Sequence, residues 1–450
     1  MYDLTIEGGR IVTPHGVYEA NLGIEAGKIA TVSSHALRAQ ESLDATGKLV
    51  LPGMIDTHMH IGFHSEDTEF LTETRGAVVG GITTAMIYYR RLTPYGEDLA
   101  AFIERGRRQS YVDFGVHLGI LTDEHMRAAS DLARQFGITS FKMYTCYKDK
   151  ELEPFGVRGE DDGFMLDAFS RLAEIPGAVV NVHSENNDIY ERRAAALRRG
   201  EAVGTPLEQW SWARPPLGEV EAVERVALFA REAGAAVFIP HVGSLRALEA
   251  CRSAQALGTN LRVETCPHYL LLSTSSPGSA QYAKVNPPVR SERDRQAMVE
   301  ALARGQCDTV GTDHAAIFRD GKADLEVWRQ RPGFPGVDVL LPALMELVHR
   351  GDLPLERVAA LPANAARIFG LRGKGRLEVG CDADIVVVDP ARSRRVEAAT
   401  LASASDLSVY EGMTLTGWPT ATLVRGRLTA LAGEVVSEQS GAYLRRAAQA

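Results

Sequence analysis

The stretch VLPGMIDTHMH, residues 50–60, opens the part of the chain whose pattern decides the fold. A short apolar run at 50–55 is followed directly by two histidines, and seven more short apolar runs come after it. The eight predicted strands are 50–55, 81–89, 114–121, 139–144, 178–182, 236–239, 261–265 and 309–311. Between them lie segments with apolar residues at helical spacing, such as 122–136, 161–175, 219–233 and 290–304.

This regular alternation of strand and helix predicts a parallel sheet, because a crossover helix returns the chain to the edge where the next strand starts. Eight such units over about 300 residues favour a closed (β/α)8 barrel of the TIM type over an open, doubly wound sheet. We therefore predict an α/β fold in which residues 51–372 form the barrel.

The two chain ends have a different pattern. Before residue 50 the sequence reads as short strands punctuated by glycine, at 3–7, 9–12, 18–24 and 28–32. Alternating apolar and polar residues return after Gly373, with a run at 383–389 and a strand pair within 420–431. We predict that residues 1–50 and 373–450 together form a small composite β-sandwich domain.

Composition and charge exclude several classes of protein. The 450 residues are 45% hydrophobic and 24% charged, which is typical of a globular chain and excludes disordered and collagen-like proteins. A net charge of −9 without a long basic run gives no reason to expect a nucleic-acid partner. Five cysteines without a C-x-x-C pair indicate neither a disulfide framework nor a thiolate zinc cluster, and neither a signal peptide nor a membrane span is recognisable. We expect a cytoplasmic protein with no membrane partner.

Residues able to bind a metal ion or carry a proton follow five of the eight predicted strands. They are His58, His60, Lys142, His183, His241 and Asp313. In a barrel the carboxyl ends of the strands converge on one face, where active sites are built. Any one of these histidines could simply be packed or solvated, and Asp313 could cap the next helix. Their shared placement, and no single residue, predicts a metal site.

The first histidine pair and the lysine carry additional signals. A period of two places His58 and His60 on the same side of a strand, and imidazole is a ligand for Zn, Fe or Ni. Lys142 lies in an apolar strand, where an ammonium group is costly to desolvate unless it reaches the rim. A functional lysine there would be neutral, paired or chemically changed. A carbamate formed with CO2 would offer two oxygens that could bridge two cations.

Short motifs at these strand ends carry a family resemblance. They are PGMIDTHMH (52–60), FK (141–142), HSEN (183–186), HVGS (241–244) and GTDH (311–314). Further agreement lies in RPP (214–216), ETCPHYL (264–270), KVNPPVR (284–290) and GCDAD (380–384). With these motifs the chain resembles the amidohydrolase superfamily over nearly its whole length. The most similar branch contains the cyclic amidases: hydantoinases, dihydropyrimidinases, allantoinases and dihydroorotases.

The resemblance implies a binuclear metal centre, usually of zinc, in a TIM-like barrel. His58 and His60 would bind the more buried ion together with Asp313. The second ion would be bound by His183 and His241, and a carboxylated Lys142 would bridge the two. The protein would then be an enzyme that hydrolyses the amide bond of a small cyclic amide, and it would form a homo-oligomer, either a dimer or a tetramer.

Three residues receive roles in catalysis from the same resemblance. Asp313 would act as general base and then return the proton to the leaving nitrogen. Tyr147 would donate a hydrogen bond to the developing oxyanion, although a structural tyrosine at a loop base is the alternative. The backbone of Asn286 would contact the amide of the ring, or the residue would only shape the turn at Pro287 and Pro288.

The choice within the branch depends on a few positions. Dihydroorotases have a His-x-His-x-Arg motif, whose arginine binds the carboxylate of the substrate. This chain has Gly62 at the position of that arginine, which favours a neutral cyclic amide or imide as substrate. Tyr147 favours a hydantoinase or dihydropyrimidinase over an allantoinase. Two stretches depart from the family pattern, Tyr88-Tyr89-Arg90-Arg91 and Pro332-Gly333-Phe334-Pro335-Gly336. Allantoinase or dihydroorotase activity, a non-catalytic dihydropyrimidinase-like scaffold and a mononuclear deaminase remain the alternatives.

Overall fold

The computed structural model describes residues 1–146, 161–201, 204–278, 282–324 and 326–446. The first five strands precede the barrel. They are β1 (Tyr2–Thr13), β2 (Gly16–Glu25), β3 (Lys28–Ser33), β4 (Ala39–Asp44) and β5 (Leu49–Pro52). Within the described ranges, no helix combines the length and the apolar character that a membrane crossing requires.

Eight parallel strands form the barrel, as the alternation of strands and helices predicts. They are β6 (Met54–His60), β7 (Ile82–Tyr89), β8 (Asp113–Gly119), β9 (Ser140–Tyr144), β10 (Val179–His183), β11 (Val237–Ile239), β12 (Leu261–Thr265) and β13 (Thr309–Val310). Each strand pairs with the next along the chain. The circle closes where the backbone N–H of His60 donates to the carbonyl of His314 at 2.8 Å.

Helices surround the barrel strands. Their bounds are α1 (Glu69–Val79), α2 (Glu97–Gln109), α3 (Asp123–Phe136), α4 (Asp162–Ala173), α5 (Asn187–Arg198), α6 (Pro206–Ala213), α7 (Pro216–Ala233), α8 (Leu245–Ala256), α9 (Pro267–Leu271), α10 (Glu292–Ala303), α11 (Leu340–Arg350) and α12 (Leu355–Phe369). Local signals set the ends of α3, because Thr122 caps its first turn and the left-handed Gly137 ends it. Every residue of β7 and β8 is buried, as expected for parallel strands covered on both faces.

A second, mixed sheet combines both chain ends, as the sequence predicts. It contains β1 to β5 together with β14 (Ile385–Arg395), β15 (Thr414–Val424), β16 (Arg427–Leu431) and β17 (Glu434–Val435). The two ends meet where β5 pairs antiparallel with β14. Ile11, Val50, Ile385 and Leu423 are among the residues of its separate apolar core.

Two details of this sheet differ from the prediction. The stretches 3–7 and 9–12 are one strand, β1, with a bulge between Ile6 and Gly9. Gly8 has a φ of 69° there, a conformation that glycine adopts without a steric cost. Strand β4 was not predicted, because its side chains are largely exposed and show no apolar alternation.

Residues 441–446 lie at the amino-terminal end of the barrel strands. The backbone N–H of Phe114 donates to Ala442, and Leu444 donates to Phe114, so this segment runs beside the start of β8. Arg446 is 2% exposed and its guanidinium donates to the carbonyl of Val116. This segment therefore covers the end of the barrel opposite to the predicted active-site face.

A buried ion cluster joins the sheet to the barrel. The Nζ of Lys374 lies 2.5 Å from an oxygen of Asp113, at the start of β8. It also lies 2.8 Å from Asp384 and 3.0 Å from Asp382, which precede β14. Because one ammonium serves three carboxylates, its removal would leave buried negative charges facing each other.

We predict that Lys374→Met lowers the free energy of unfolding by about 3 to 5 kcal/mol, the cost of leaving buried charges without their partner. Urea unfolding followed by circular dichroism measures this change. Lys28→Met is the control, because Lys28 makes an exposed ion pair with Asp382 and its loss should cost less than about 1 kcal/mol. Equal effects of the two substitutions would contradict the prediction.

Candidate active site

Two histidines of β6 face an aspartate that follows β13. The Nε2 of His58 lies 3.1 Å from Oδ1 of Asp313, and the Nε2 of His60 lies 3.3 Å from the same oxygen. The closure of the barrel brings these groups together, although more than 250 residues separate them in the sequence. Two imidazole nitrogens and a carboxylate oxygen therefore point at one small volume.

The other predicted residues complete the same site. His183 ends β10 and His241 follows β11, and their ring centroids are 4.6 Å apart. The Nζ of Lys142, on β9, lies 4.6 Å from the ring centroid of Tyr88 and 5.1 Å from that of Tyr144. A cavity of about 110 Å³ is lined by all four histidines together with Lys142 and Asp313. The six residues singled out at strand ends thus share one cavity.

Glu264, on β12, orients two of these histidines. Its Oε1 lies 2.9 Å from Nδ1 of His58 and accepts the backbone N–H of His241 at 3.2 Å, while Thr57 donates its hydroxyl to Oε2. A carboxylate on Nδ1 fixes the imidazole so that Nε2 faces the cavity, as in many metal sites. Glu264 belongs to the ETCPHYL motif, but its role could not be predicted from the sequence, because its partners are distant in the sequence.

Glu185 and Arg214 orient the third histidine. Oε2 of Glu185 lies 2.7 Å from Nε2 of His183 and accepts a hydrogen bond from Arg214 at 2.9 Å. Arg214 lies over the ring of Tyr190, 3.8 Å from its centroid. The contact of Glu185 with His183 and Arg214 also could not be predicted from the sequence.

Two of the cavity residues have left-handed backbones without being glycine. The φ of His241 is 45° and that of Asp313 is 51°. Such conformations cost of order 1 to 3 kcal/mol and persist only where the surroundings enforce them, most often at functional sites. At both positions the bend turns the side chain into the cavity directly after a buried strand.

Burial and charge shift the ionisation of these groups. Burial lowers the pKa of His58, but the carboxylates of Asp313 and Glu264 outweigh it and raise that pKa to about 9. Burial would raise the pKa of Asp313, yet His58 and His60 hold it well below its usual range. Burial lowers the pKa of Lys142 to about 8, against the attraction of the same carboxylates.

The donor set fits divalent metal ions. Ligand atoms of His58, His60 and Asp313 lie within 4.8 Å of one another. Among the residues that the structure describes, none gives a hydrogen bond to the buried Nδ1 of His241. Imidazole and carboxylate are the common ligands of zinc and of related ions in hydrolases. The residues present could therefore hold a metal ion.

The two other predicted site residues have different outcomes. Tyr147 lies outside the described residues, so its predicted role stays a prediction. Asn286 lines the cavity, but its side-chain oxygen accepts a hydrogen bond from Trp210 at 3.2 Å. Its backbone therefore remains the part assigned to the substrate.

Both stretches that depart from the family pattern reach the site. Tyr88 is buried and its ring centroid lies 4.4 Å from that of His58. Arg90 lines the cavity at the end of β7, and Pro332 and Gly333 line it from the other side. Arg90, Pro332 and Gly333 therefore shape the space in which a substrate would lie.

Comparisons with known proteins show which family the chain is similar to. The sequence pattern of the Amidohydrolase family matches residues 49–429. An L-hydantoinase from Paenarthrobacter aurescens is 31% identical over 98% of this chain and 97% of its own, and a dihydroorotase from Halobacterium salinarum is 35% identical over 88% and 90%. The crystal structure of a dihydropyrimidinase from Brevibacillus agri superposes with a TM-score of 0.90 and 28% identity, covering 99% of both chains.

We predict a pH-dependent contribution of Glu185 to stability in metal-free protein. Burial raises the pKa of Glu185, but Arg214 and His183 outweigh it and lower that pKa to about 2. Because this pKa is lower in the folded protein, the ionised carboxylate stabilises the fold at pH values above 4.5, the pKa in the unfolded chain. This stabilisation is lost as the pH falls toward 2. Glu185→Gln should therefore cost about 3 kcal/mol at pH 7 and about 1 kcal/mol at pH 3.

Urea unfolding of wild type and variant at both pH values measures this difference. Glu300→Gln is the matched control, because Glu300 is exposed on α10 and pairs with Arg304. We expect the control to change the free energy of unfolding by less than about 0.5 kcal/mol at either pH. A cost of Glu185→Gln that does not depend on pH would contradict the prediction.

Proposed function

The chain belongs to the amidohydrolase family, and from this premise we propose that it is a binuclear metal-dependent hydrolase that opens cyclic amides or imides. The ring would be of the hydantoin or dihydropyrimidine type. The observation that carries the proposal is the cavity that four histidines, Lys142 and Asp313 line together at the carboxyl ends of the barrel strands. The hydantoinase and dihydropyrimidinase relatives support the choice of ring.

Six side chains would hold the metal ions, with zinc as the first expectation. His58, His60 and Asp313 would hold one ion, His183 and His241 the other, and a carbamate on Lys142 would serve both. When bound, divalent cations at these residues would lower the pKa of a water molecule and would polarise the carbonyl that is attacked.

We assign the proton transfer to Asp313. Its Oδ1 faces His58 and His60, and its left-handed backbone turns the carboxylate into the cavity. A carboxylate in this position accepts the proton of the attacking water and delivers it to the amide nitrogen that leaves. His58 cannot turn away, because Glu264 holds the opposite side of its ring.

Lys142 would be modified before it binds metal. Its side chain is 2% exposed, and burial lowers its pKa to about 8 against the attraction of Asp313 and Glu264, which favours the neutral amine. The neutral amine adds to CO2, a C–N bond forms, and one proton leaves to solvent. The product is a carbamate with two oxygens and a negative charge, which removes the repulsion between an ammonium and two dications.

Tyr147 and Asn286 would orient the substrate. We assign the Tyr147 hydroxyl to the oxygen that becomes negative when the ring carbonyl is attacked. The backbone of Asn286, at the wall of the cavity, would hold the ring amide while its side chain stays bonded to Trp210.

We predict about two divalent ions per chain and ring opening on a panel of hydantoin, dihydrouracil, allantoin and dihydroorotate. Elemental analysis of protein prepared without chelators measures the metal, and the loss of ring absorbance measures the reaction. Lys142→Ala should lose both metal and activity, whereas Lys48→Ala, a half-buried control outside the cavity, should keep both.

The non-catalytic alternative gives the opposite result. A metal content near zero, with no ring opened after addition of zinc, manganese or cobalt and bicarbonate, would contradict the proposed function. If metal-loaded protein had the mass expected for an unmodified Lys142, the proposed carbamate would be contradicted, but the proposed metal site would not. Activity restricted to allantoin or to dihydroorotate would instead indicate an allantoinase or a dihydroorotase.

We predict that Tyr147→Phe lowers kcat about 10²-fold on the best ring of the panel, because it removes one donor to the oxyanion. Its metal content should equal that of the wild type, which separates loss of a donor from loss of the site. Tyr111→Phe is the control, because Tyr111 precedes β8 at the far end of the barrel. Wild-type kcat in Tyr147→Phe would show that the role belongs to another group.

A further inference from the structure

Two stretches of the chain, 284–286 and 328–333, form one wall of the candidate active-site cavity. The residues of this wall that line the cavity are Val285, Asn286, Pro332 and Gly333. The stretches are joined where the backbone N–H of Gly333 donates to the carbonyl of Lys284 at 2.9 Å. A ring bound in the cavity would therefore lie against both stretches.

Two buried lysines add further bonds at this joint. The Nζ of Lys284 donates to the carbonyl of Gln330 at 2.6 Å and to that of Trp328 at 3.2 Å. The Nζ of Lys322 donates to the carbonyl of Lys284 at 2.9 Å. Lys284 thus binds one stretch through its amine, while its own carbonyl is held by Lys322 and Gly333. We call Lys284 and Lys322 the lysine clasp.

Neither amine of the lysine clasp has an acid beside it. Lys284 is 3% exposed and Lys322 is 1% exposed, and within the described ranges neither forms an ion pair with a carboxylate. Burial, with the charges of Arg214 and Arg198, lowers the pKa of Lys284 to about 7. Burial, with Lys284 and Arg331, lowers the pKa of Lys322 well below its usual range. An amine buried without an acid is costly, so packing alone does not explain this pair.

The ring of Trp210 connects Lys284 to the substrate-facing residues. The Nζ of Lys284 lies 4.1 Å from the centroid of this ring, within the range of a cation–π contact. The indole N–H donates to the carbonyl of Val285 at 3.1 Å and to the side-chain oxygen of Asn286 at 3.2 Å. Lys284 therefore contacts the stretch 328–333 directly and supports the stretch 284–286 through Trp210.

We propose that Lys284 and Lys322 are positioning residues, which hold the two stretches of the wall at the separation that the substrate ring requires. This inference rests on the proposed function and deepens it, because it assigns the shape of the ring site to two amines that do not line the cavity. The stretch that they hold departs from the family pattern. Pro332 and Gly333 offer a ring little beyond backbone, so the placement of this backbone decides the fit.

The lysine clasp should act on binding rather than on the chemical step. A wall contacts the ring in the ground state and in the transition state alike, and loss of such a contact raises KM while kcat stays nearly constant. The six proposed metal ligands lie on other segments of the chain and need neither amine. The expected signature is a higher KM with kcat and metal content near those of the wild type.

Lysine variants with matched burial test the proposal. Lys284→Met and Lys322→Met remove the donors and keep much of the side-chain length, whereas Lys284→Arg keeps donors that can reach carbonyls. The control is Lys374→Met, because Lys374 is also buried but binds the carboxylates of Asp113 and Asp384, away from the wall. All proteins are loaded with zinc and bicarbonate and assayed on the best ring of the panel.

We expect Lys284→Met and Lys322→Met each to raise KM about 10-fold, to keep kcat within about 3-fold and to keep their zinc. Lys284→Arg should restore KM to within about 3-fold of the wild type. Folded Lys374→Met should have the KM of the wild type despite its lower stability. An unchanged KM in the two methionine variants of the lysine clasp, a fall in kcat instead, or an equal rise of KM in Lys374→Met would overturn the proposal.

The double variant Lys284→Met/Lys322→Met tests whether the two lysines act together. Residues that hold one joint have effects that do not add, so we expect the double variant to raise KM no more than the larger single effect, about 10-fold. Independent roles would multiply the two effects to about 100-fold. That result would overturn the proposal of a joint device.

Hydrogen exchange separates a failure of this inference from a failure of the proposed function. If no ring is opened, the proposed function fails, and the exchange of backbone amides in residues 328–336, followed by mass spectrometry, decides about the lysine clasp. Exchange about 10-fold faster in Lys284→Met and Lys322→Met, confined to this stretch and absent from Lys374→Met, would support the clasp on its own. Unchanged exchange in this stretch would overturn it, whether or not a ring is opened.

Discussion

The site depends on the hydrogen bonds that the buried carboxylate of Glu264 accepts. It is fully buried on β12, bonded to the ring of His58, to the backbone of His241 and to the hydroxyl of Thr57. A buried negative charge is tolerated only where it is paired and hydrogen-bonded, so these groups must be in place together. Because they come from different strands of the barrel, closing the barrel and assembling the site are one event.

The sequence was informative where chemistry and strand position coincide. His58, Lys142, His183 and Asp313 could be predicted as one cluster, because polar groups at the carboxyl ends of parallel strands must meet on one face. The apolar runs located all eight barrel strands for the same reason, since strands buried on both faces read as continuous apolar stretches. Local pattern and global fold agree over this part of the chain.

What the sequence could not supply lies in contacts between distant residues and in exposed backbone. Glu264 and Glu185 could be read in the sequence, but their roles could not. Each carboxylate acts by orienting an imidazole, and the local sequence does not show which histidine it contacts. Strand β4 is exposed and lacks the alternation that marks a half-buried strand. The fit of Arg90 beside β8 depends on Gly119, because a Cβ at that position would lie 3.0 Å from the Cβ of Arg90.

The order in which the chain is made bears on how it can fold. The segment 441–446 forms the floor of the barrel, and β5 needs β14, which follows it by more than 300 residues. Folding that starts at the amino terminus during synthesis can therefore add barrel strands, but it cannot seal the floor or complete the sheet. Until about residue 446 has left the ribosome, the end of the barrel opposite the candidate active site lacks the segment that covers it, so the apolar residues there are the last to be shielded from water.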